Sequence, residues 1–149
     1  VLRGAIKKSI NILAKQFIFE KDITSASNLS HKVENNIFNY SFDMLGEASR
    51  NQLQSDAYFE SYLGAINSIG AINSAHALSN GISIKLSSLY SKYDALHDRE
   101  VKNFLLPKLR DLVIEAAAKD VPVTIDAEEQ DRLSLSLSLV EDLALDPAI

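Results

Sequence analysis

Hydrophobic positions along this chain switch repeatedly between two periods. In residues 1–19, VLRGAIKKSINILAKQFIF, the residues Leu2, Ile6, Ile10, Leu13 and Phe17 stand 4, 4, 3 and 4 positions apart. That spacing lines them on one helical face, with Lys7, Lys8 and Lys15 elsewhere on the surface. Residues 20–36 are polar and predict a short helix and a loop. The run NYSFDMLGEA is aromatic and apolar, contains Gly46, and predicts a first strand. Residues 50–78 carry Leu53, Ala57, Ala65, Ile66, Ile69 and Ile72 at helical spacing. Asn80-Gly81 is a turn signal, and GISIKLSSL (81–89) follows with the period of two of a second strand. Residues 94–119 return to helical spacing through Val101, Leu105, Leu109, Leu112 and Val113, with Asp98 as the expected N-cap and Pro107 placed to kink or split the helix. VPVTIDAEE (121–129) predicts a third strand.

The last segment is ambiguous. Leu133, Leu135, Leu137 and Leu139 alternate with serines, a strand pattern when taken alone. Glu128, Glu129 and Asp131 would instead suit the first turn of a helix, where the dipole favours acids. Leu133, Leu137 and Val140 would then form one stripe, and Leu135, Leu139 and Leu143 a neighbouring one. A helix is the preferred reading and a strand the alternative. The whole order, a helix followed three times by strand and helix, predicts an α/β fold with a parallel sheet. We divide it into a helical lead-in over 1–36 and three βα units over 37–149.

Composition narrows the function classes. With 149 residues, 46% of them apolar, the chain can build one core. A net charge of −5 argues against a duplex nucleic-acid surface or a polybasic membrane surface, which need clustered Lys and Arg. The absence of cysteine removes disulfides, thiolate metal sites and a Cys nucleophile, and suits a cytoplasmic protein. No apolar run is long enough to span a membrane. The chain begins at Val1 without a Met and reads as a piece of something longer, so a leader would not be visible.

Strand alternation brings out the chemistry. Ile82, Ile84 and Leu86 share one face of the second strand, and Ser83, Lys85 and Ser87 the other. In the third strand Val123 and Ile125 oppose Thr124 and Asp126; in the first, Phe42 and Met44 oppose Ser41 and Asp43. Asp43, Lys85 and Asp126 recur at intervals of 42 and 41 residues, each near the C-terminal end of its strand and expected at one depth. Ligands of parallel α/β folds bind at those ends. A lysine is almost never fully buried unpaired, so this triad reads either as a site or, with equal weight, as a structural Lys–Asp bridge. His31, His76 and His97 fit no metal-ligand spacing and read as surface or helix-terminal residues. Tyr58 and Tyr62, one helical turn apart, read as packing. Ser134, Ser136 and Ser138 lack any nucleophile context.

The strings YSFDMLGEASR, GISIKLSSL and TIDAEEQDRLSLSL, in this order, resemble the proline dehydrogenase family, most closely the proline dehydrogenase domain of the bifunctional proline utilization A enzymes. The likeness covers nearly the whole chain. It implies the first three βα units of a partial (βα)8 TIM-like barrel preceded by a helical lead-in. It also implies an enzyme that uses FAD to oxidise L-proline to pyrroline-5-carboxylate in proline catabolism, with electrons passed to a quinone. By this resemblance Lys85 binds the proline carboxylate, Asp126 is the active-site aspartate near flavin and substrate, and Ala127 is a flavin-contacting backbone position. Asp43 lines the proline pocket, and Glu47 closes it by pairing with an arginine from the eighth helix. Glu128 matches a further acid whose role is assigned only loosely. The full enzyme would be cytoplasmic, with peripheral contact at the inner membrane, no nucleic-acid binding through this segment and a capacity to form homo-oligomers. Where the family commonly reads Ala-Leu-His-Pro-Arg-Tyr, this chain has Ser88-Leu89-Tyr90-Ser91-Lys92-Tyr93, a departure in the loop rather than the strand. A full barrel needs roughly 250 residues, so the chain is expected to lack the later strands and their flavin contacts. The alternative expectation is a noncatalytic βα fragment that self-associates through its open sheet edges.

Overall fold

A computed structural model describes residues 2–15, 17–32, 37–77 and 79–149. Its elements run α1 (Leu2–Ala14), α2 (Ile23–Ser30), β1 (Ser41–Asp43), α3 (Gln52–Asn73), β2 (Gly81–Ile84), α4 (Leu86–Leu89), α5 (Asp98–Ala118), β3 (Val123–Ile125) and α6 (Leu133–Ala144). Short 3-10 turns at Ala95–His97 and Gln130–Arg132 lead into α5 and α6. The three strands form one parallel sheet in the order β1-β2-β3. Phe42 stands beside Ile82 and Ile82 beside Val123, so apolar residues meet apolar residues across the sheet. Ile82 and Ile84 are fully buried, as are Ile66 and Ile69 of α3 and Val101, Leu105, Leu109 and Leu112 of α5. The other face carries Ser41, Ser83 and Thr124. Gly81 permits a close approach within the sheet: a Cβ there would lie 2.5 Å from the Pro122 carbonyl oxygen.

Several boundaries differ from the sequence expectation. All three strands are shorter than predicted. The second ends at Ile84, and Leu86–Leu89 turn into one helical turn, α4, with all four residues buried. Lys85 is therefore the residue between strand and turn, and Ser87 does not continue the strand face. Asp98 is the first residue of α5 rather than its cap; the capping position is His97, and Asp94 instead accepts from the Leu96 N–H to start the 3-10 turn. Pro107 lies inside α5 without splitting it. It and Asn103, whose carbonyl its missing N–H would have met, are both exposed, so water can satisfy that carbonyl. In α3 the inward face is Ser55, Tyr62, Ala65, Ile66, Ile69, Gly70 and Asn73, while Leu53 is exposed.

The leucine–serine run is helical. Leu135, Leu139 and Leu143 form its buried stripe, while Leu133, Leu137 and Val140 are exposed. Glu128 and Glu129 precede the 3-10 turn and no acid occupies the first turn of α6. α1 is a helix as expected, but it ends at Ala14, before Phe17, and none of its residues is buried among the described residues. No described helix is long and apolar enough to cross a membrane.

The N-terminal end of the sheet is held by one buried amide. Asn80 is fully buried. Its Oδ1 accepts from the Tyr40 N–H at 3.0 Å, its Nδ2 donates to Ser30 Oγ at 2.6 Å and meets His31 Nε2 at 3.0 Å. Its backbone N–H and carbonyl are bracketed by the Asn73 side chain, at 3.0 and 2.8 Å. β1, α2, α3 and β2 thus meet at one residue. Because the Tyr40 N–H requires the Asn80 oxygen, the amide nitrogen faces His31, and His31 Nε2 must accept as a neutral imidazole. The His31 ring stacks on His76 with centroids 3.9 Å apart.

Two outcomes follow from this clip. Asn80→Ala orphans several buried partners and should cost about 2–3 kcal/mol in urea unfolding, because unpaired buried groups keep their full desolvation penalty. Burial, then the neighbouring His76, lowers the His31 pKa below its ordinary value. The unfolded chain then binds more protons as pH falls past the ordinary imidazole value of about 6.5. The His31 contribution is present above that pH and is lost as pH falls toward the lowered folded value. Urea midpoints should therefore drop as pH falls below about 6.5, and drop less in His31→Gln; equal drops would contradict this account.

Candidate active site at the carboxyl ends of the strands

The register sets the site. Asp43 pairs with Ser83, and Ile84 with Ile125, so Asp126 lies level with Lys85 while Asp43 lies two residues lower on the same face. The charged residues are staggered rather than at one depth, and the long lysine side chain bridges the step. Lys85 Nζ donates to Asp43 Oδ2 at 3.0 Å and to Asp126 Oδ2 in a shorter contact. The lysine side chain is only 14% exposed, whereas those of Asp43 and Asp126 are 49% and 36% exposed. The bond to Asp126 raises the Lys85 pKa well above its ordinary value, against the opposing effect of burial and with further help from Asp43. The ammonium is therefore charged at any physiological pH.

Neutral bonds hold the Lys85 backbone. Its N–H donates to Tyr62 Oη at 3.1 Å, and its carbonyl accepts from Ser88 Oγ at 2.6 Å and from Ser88 N–H at 3.1 Å. The Asp126 N–H donates to the Ile84 carbonyl at 2.9 Å. Tyr62 is almost wholly buried, and burial raises its pKa, so its phenol stays neutral. Packing was the sequence expectation for Tyr62; its hydroxyl, one helical turn from Tyr58, also anchors the lysine. Only its place on the buried α3 stripe could have signalled this.

A cavity of about 420 Å³ opens above the triad, lined by Glu47, Lys85, Ser87, Asp126, Ala127 and Glu128, among others. Glu128 accepts from the Ser87 N–H at 2.9 Å and from Arg132 at 3.3 Å, and its side chain is 11% exposed. Arg132 also reaches Glu129 at 3.0 Å and lies 5.5 Å from the centre of the Tyr93 ring. Burial, then the Glu128 charge, pushes the Tyr93 phenol up to about 12. No group of His, Asp and Glu among the described residues has the arrangement of a metal site. Glu47 lines the cavity but makes no ion pair among the described residues. The arrangement can bind a zwitterion: one buried cation for a carboxylate, and half-exposed acids for an ammonium. If Tyr62 fixes the lysine as described, Tyr62→Phe leaves the half-buried Lys85 N–H unpaired and should cost about 1–3 kcal/mol. Urea unfolding of the two proteins measures this, and a loss below a few tenths of a kcal/mol would remove Tyr62 from the anchor.

Comparison with known proteins places this geometry in a lineage. The chain matches the proline dehydrogenase family over residues 26–149. The bifunctional protein PutA of Escherichia coli strain K12 is 36% identical over 151 residues, covering all of this chain and 11% of that protein. PutA of Rhizobium meliloti is 35% identical over 147 residues, covering 98% of this chain and 12% of the relative. The chain thus spans about a tenth of the length of these relatives. Among solved structures, a variant of Bradyrhizobium japonicum proline utilization A superposes with a TM-score of 0.77 at 36% identity, covering 98% of this chain and 15% of that one. Proline utilization A from Bdellovibrio bacteriovorus reaches 0.89 over 98% of this chain and 17% of its own, at 24% identity, and shows the shared fold alone. The parallel sheet with its charged strand ends and the match across most of the sequence agree, and the chain belongs to the proline dehydrogenase family.

Proposed function

We propose that this chain forms the first three βα units of a (βα)8 barrel that oxidises L-proline to pyrroline-5-carboxylate, and that Lys85 holds the proline carboxylate. The observation that carries this reading is the buried Lys85 ammonium between Asp43 and Asp126 at the carboxyl ends of a parallel sheet. Proline is a zwitterion. Its carboxylate can replace one of the aspartates on Lys85, and its ammonium can meet the aspartate released. Asp43 and Asp126 keep the lysine charged and solvated while the pocket is empty of substrate. Glu47, on the cavity wall, is placed to pair with a cation from elsewhere in the barrel. In this reading residues 1–36 are the lead-in to the barrel and 37–149 the βα units.

FAD is the cofactor this reading implies, and when bound it would accept the hydride while the protein supplies position and charge. The described residues fit one edge of such a group. The Ala127 N–H makes no hydrogen bond to another described residue and belongs to a residue on the cavity wall. Asp126 and Ala127 would hold that edge beside the substrate. A quinone as the eventual electron acceptor, a cytoplasmic location and peripheral contact with the inner membrane belong to the proposal for the whole enzyme.

One feature favours a second reading for the chain taken alone. The outer edges of β1 and β3 have no strand partner among the described residues. A largely apolar hollow of about 490 Å³, lined by Phe19, Tyr40, Phe42 and Met44 among others, runs beside β1. Unpaired edges over apolar ground recruit further strands, so the isolated chain would associate with copies of itself and lack catalysis.

In the full product of the gene, Lys85→Ala should raise the KM for L-proline at least about thirtyfold, the equivalent of roughly 2 kcal/mol for a lost charged partner. Unchanged kinetics would remove Lys85 from the substrate. The isolated chain gives a second outcome in its visible spectrum. A yellow protein bleached by L-proline would show that these residues suffice for the chemistry, and a colourless oligomer by sedimentation would favour self-association through the edges.

A further inference from the structure

Glu47 sits in an unusual stretch of backbone. Gly46 before it has a φ of 144° and Ala48 after it a φ of 49°. Only glycine adopts such values freely; for alanine the left-handed region is disfavoured by the clash of its Cβ with the backbone. A Cβ at Gly46 would lie 2.4 Å from the Tyr58 ring, so this residue also packs tightly. Something outside the loop must therefore hold Ala48 where it is.

Ser87 does this from the next βα unit. Its Oγ accepts from the Ala48 N–H at 3.1 Å. Its carbonyl accepts from the Ser49 N–H at 2.9 Å and from Ser49 Oγ at 3.1 Å. Its own N–H donates to Glu128 Oε1 at 2.9 Å. Ser87 is 5% exposed and Ser49 4%, so these bonds do not compete with bulk water. One residue thus joins the loops after β1, β2 and β3 on the wall of the cavity that Glu47, Lys85 and Asp126 share. We propose that Ser87 is a positioning residue: it holds the loop of residues 46–49 in its left-handed form so that Glu47 faces the Lys85 cavity. The consequence for proline binding rests on the function proposed above.

The loop conformation and the kinetics test this separately, both in the full product of the gene. Ser87→Ala removes the acceptor for the Ala48 N–H but leaves the three bonds made by the backbone of residue 87. Hydrogen exchange of the Ala48 amide should quicken about tenfold, the effect of losing about 1.4 kcal/mol of local protection, while α3 and α5 exchange as before. The KM for L-proline should rise about five- to tenfold, with kcat and bound flavin changing less than twofold. Adding Ala48→Gly, which takes up a positive φ without the steric penalty, should recover most of the lost affinity. Unchanged exchange at Ala48 overturns the tether. A rise in KM accompanied by falls in kcat, flavin content and melting temperature, without recovery by Ala48→Gly, overturns positioning in favour of a general structural role. If the parent protein does not oxidise L-proline, the proposed function fails, and exchange at Ala48 alone still decides the tether. Should Ser87→Ala not fold, Ser49→Ala removes a different bond of the same tether, from Ser49 Oγ to the Ser87 carbonyl; exchange at Ala48 and Ser49 and the KM for L-proline should then rise in the same direction, and unchanged exchange at both amides overturns the tether.

Discussion

One ammonium group constrains the whole carboxyl end of the sheet. A lysine side chain that is 14% exposed has lost most of its hydration, and a lone charge so placed costs several kcal/mol. Its compensation must come from acids on other strands, because β2 offers only Gly81, Ser83 and the apolar Ile82 and Ile84. Two neighbours supply it only if all three strands run parallel, so that their acid-bearing ends reach the same side of the sheet, and if β3 is in the register that sets Asp126 beside Lys85. Strand direction, register and the polarity of one sheet face thus serve one charge. The distribution of exposure is uneven in a useful sense. The cation is sheltered and the two anions are half in water, so the anions can be displaced at less cost than the cation could be moved.

The other end of the sheet solves a different problem with neutral groups. Strands of three and four residues contribute few ladder bonds, too few to define a register by themselves. Asn80 supplies what is missing: it ties the start of β2 to the residue before β1, to the end of α2 and to the end of α3. A neutral amide is well suited to this place. Its bonds are directional, so they fix register, and they are insensitive to salt. The ionic contacts at the opposite end are partly open to solvent and are screened by it. The sheet is therefore fixed at its base and exchangeable at its rim.

Much of this was legible in the sequence, and the failures share a cause. The apolar face of β2, the helical stripe of α5 and the convergence of Asp43, Lys85 and Asp126 all follow from local periodicity, which packing preserves. The runs GISIKLSSL and LSLSLSLV are both leucines or isoleucines alternating with serine or lysine. Periodicity cannot separate strand from helix in either. The first is a strand only to Ile84, because Leu86 and Leu89 both have to reach the interior and a helical turn puts them there. The second is entirely helical, because one stripe of Leu135, Leu139 and Leu143 packs on α5 and the other leucines stay exposed. The stagger of Asp43 below Lys85 was equally hidden. Intervals of 42 and 41 residues look uniform along the chain, but register is set by pairing between strands, where Asp43 meets Ser83. The polar partners of Lys85, Tyr62 and Ser88, were nearly as hidden, since hydroxyls on buried stripes look like imperfect packing and only the place of Tyr62 on the α3 stripe gives a hint.

Those hydroxyls explain how a site can give up its ion pairs without coming apart. The Lys85 backbone is held by Tyr62 Oη and by Ser88, Asp126 by the Ile84 carbonyl, and the loop after β1 by Ser87. None of these bonds involves the Lys85 ammonium or the carboxylates of Asp43 and Asp126. A bound carboxylate can therefore take the place of an aspartate on Lys85 while the frame keeps its bonds, and the energetic change stays confined to the exchange of one anion for another. Had the same ion pairs also set the backbone, every binding event would have had to rebuild the strand ends. Separating the neutral frame from the charges would let a structural Lys–Asp bridge also serve as the ligand site proposed for the same three residues.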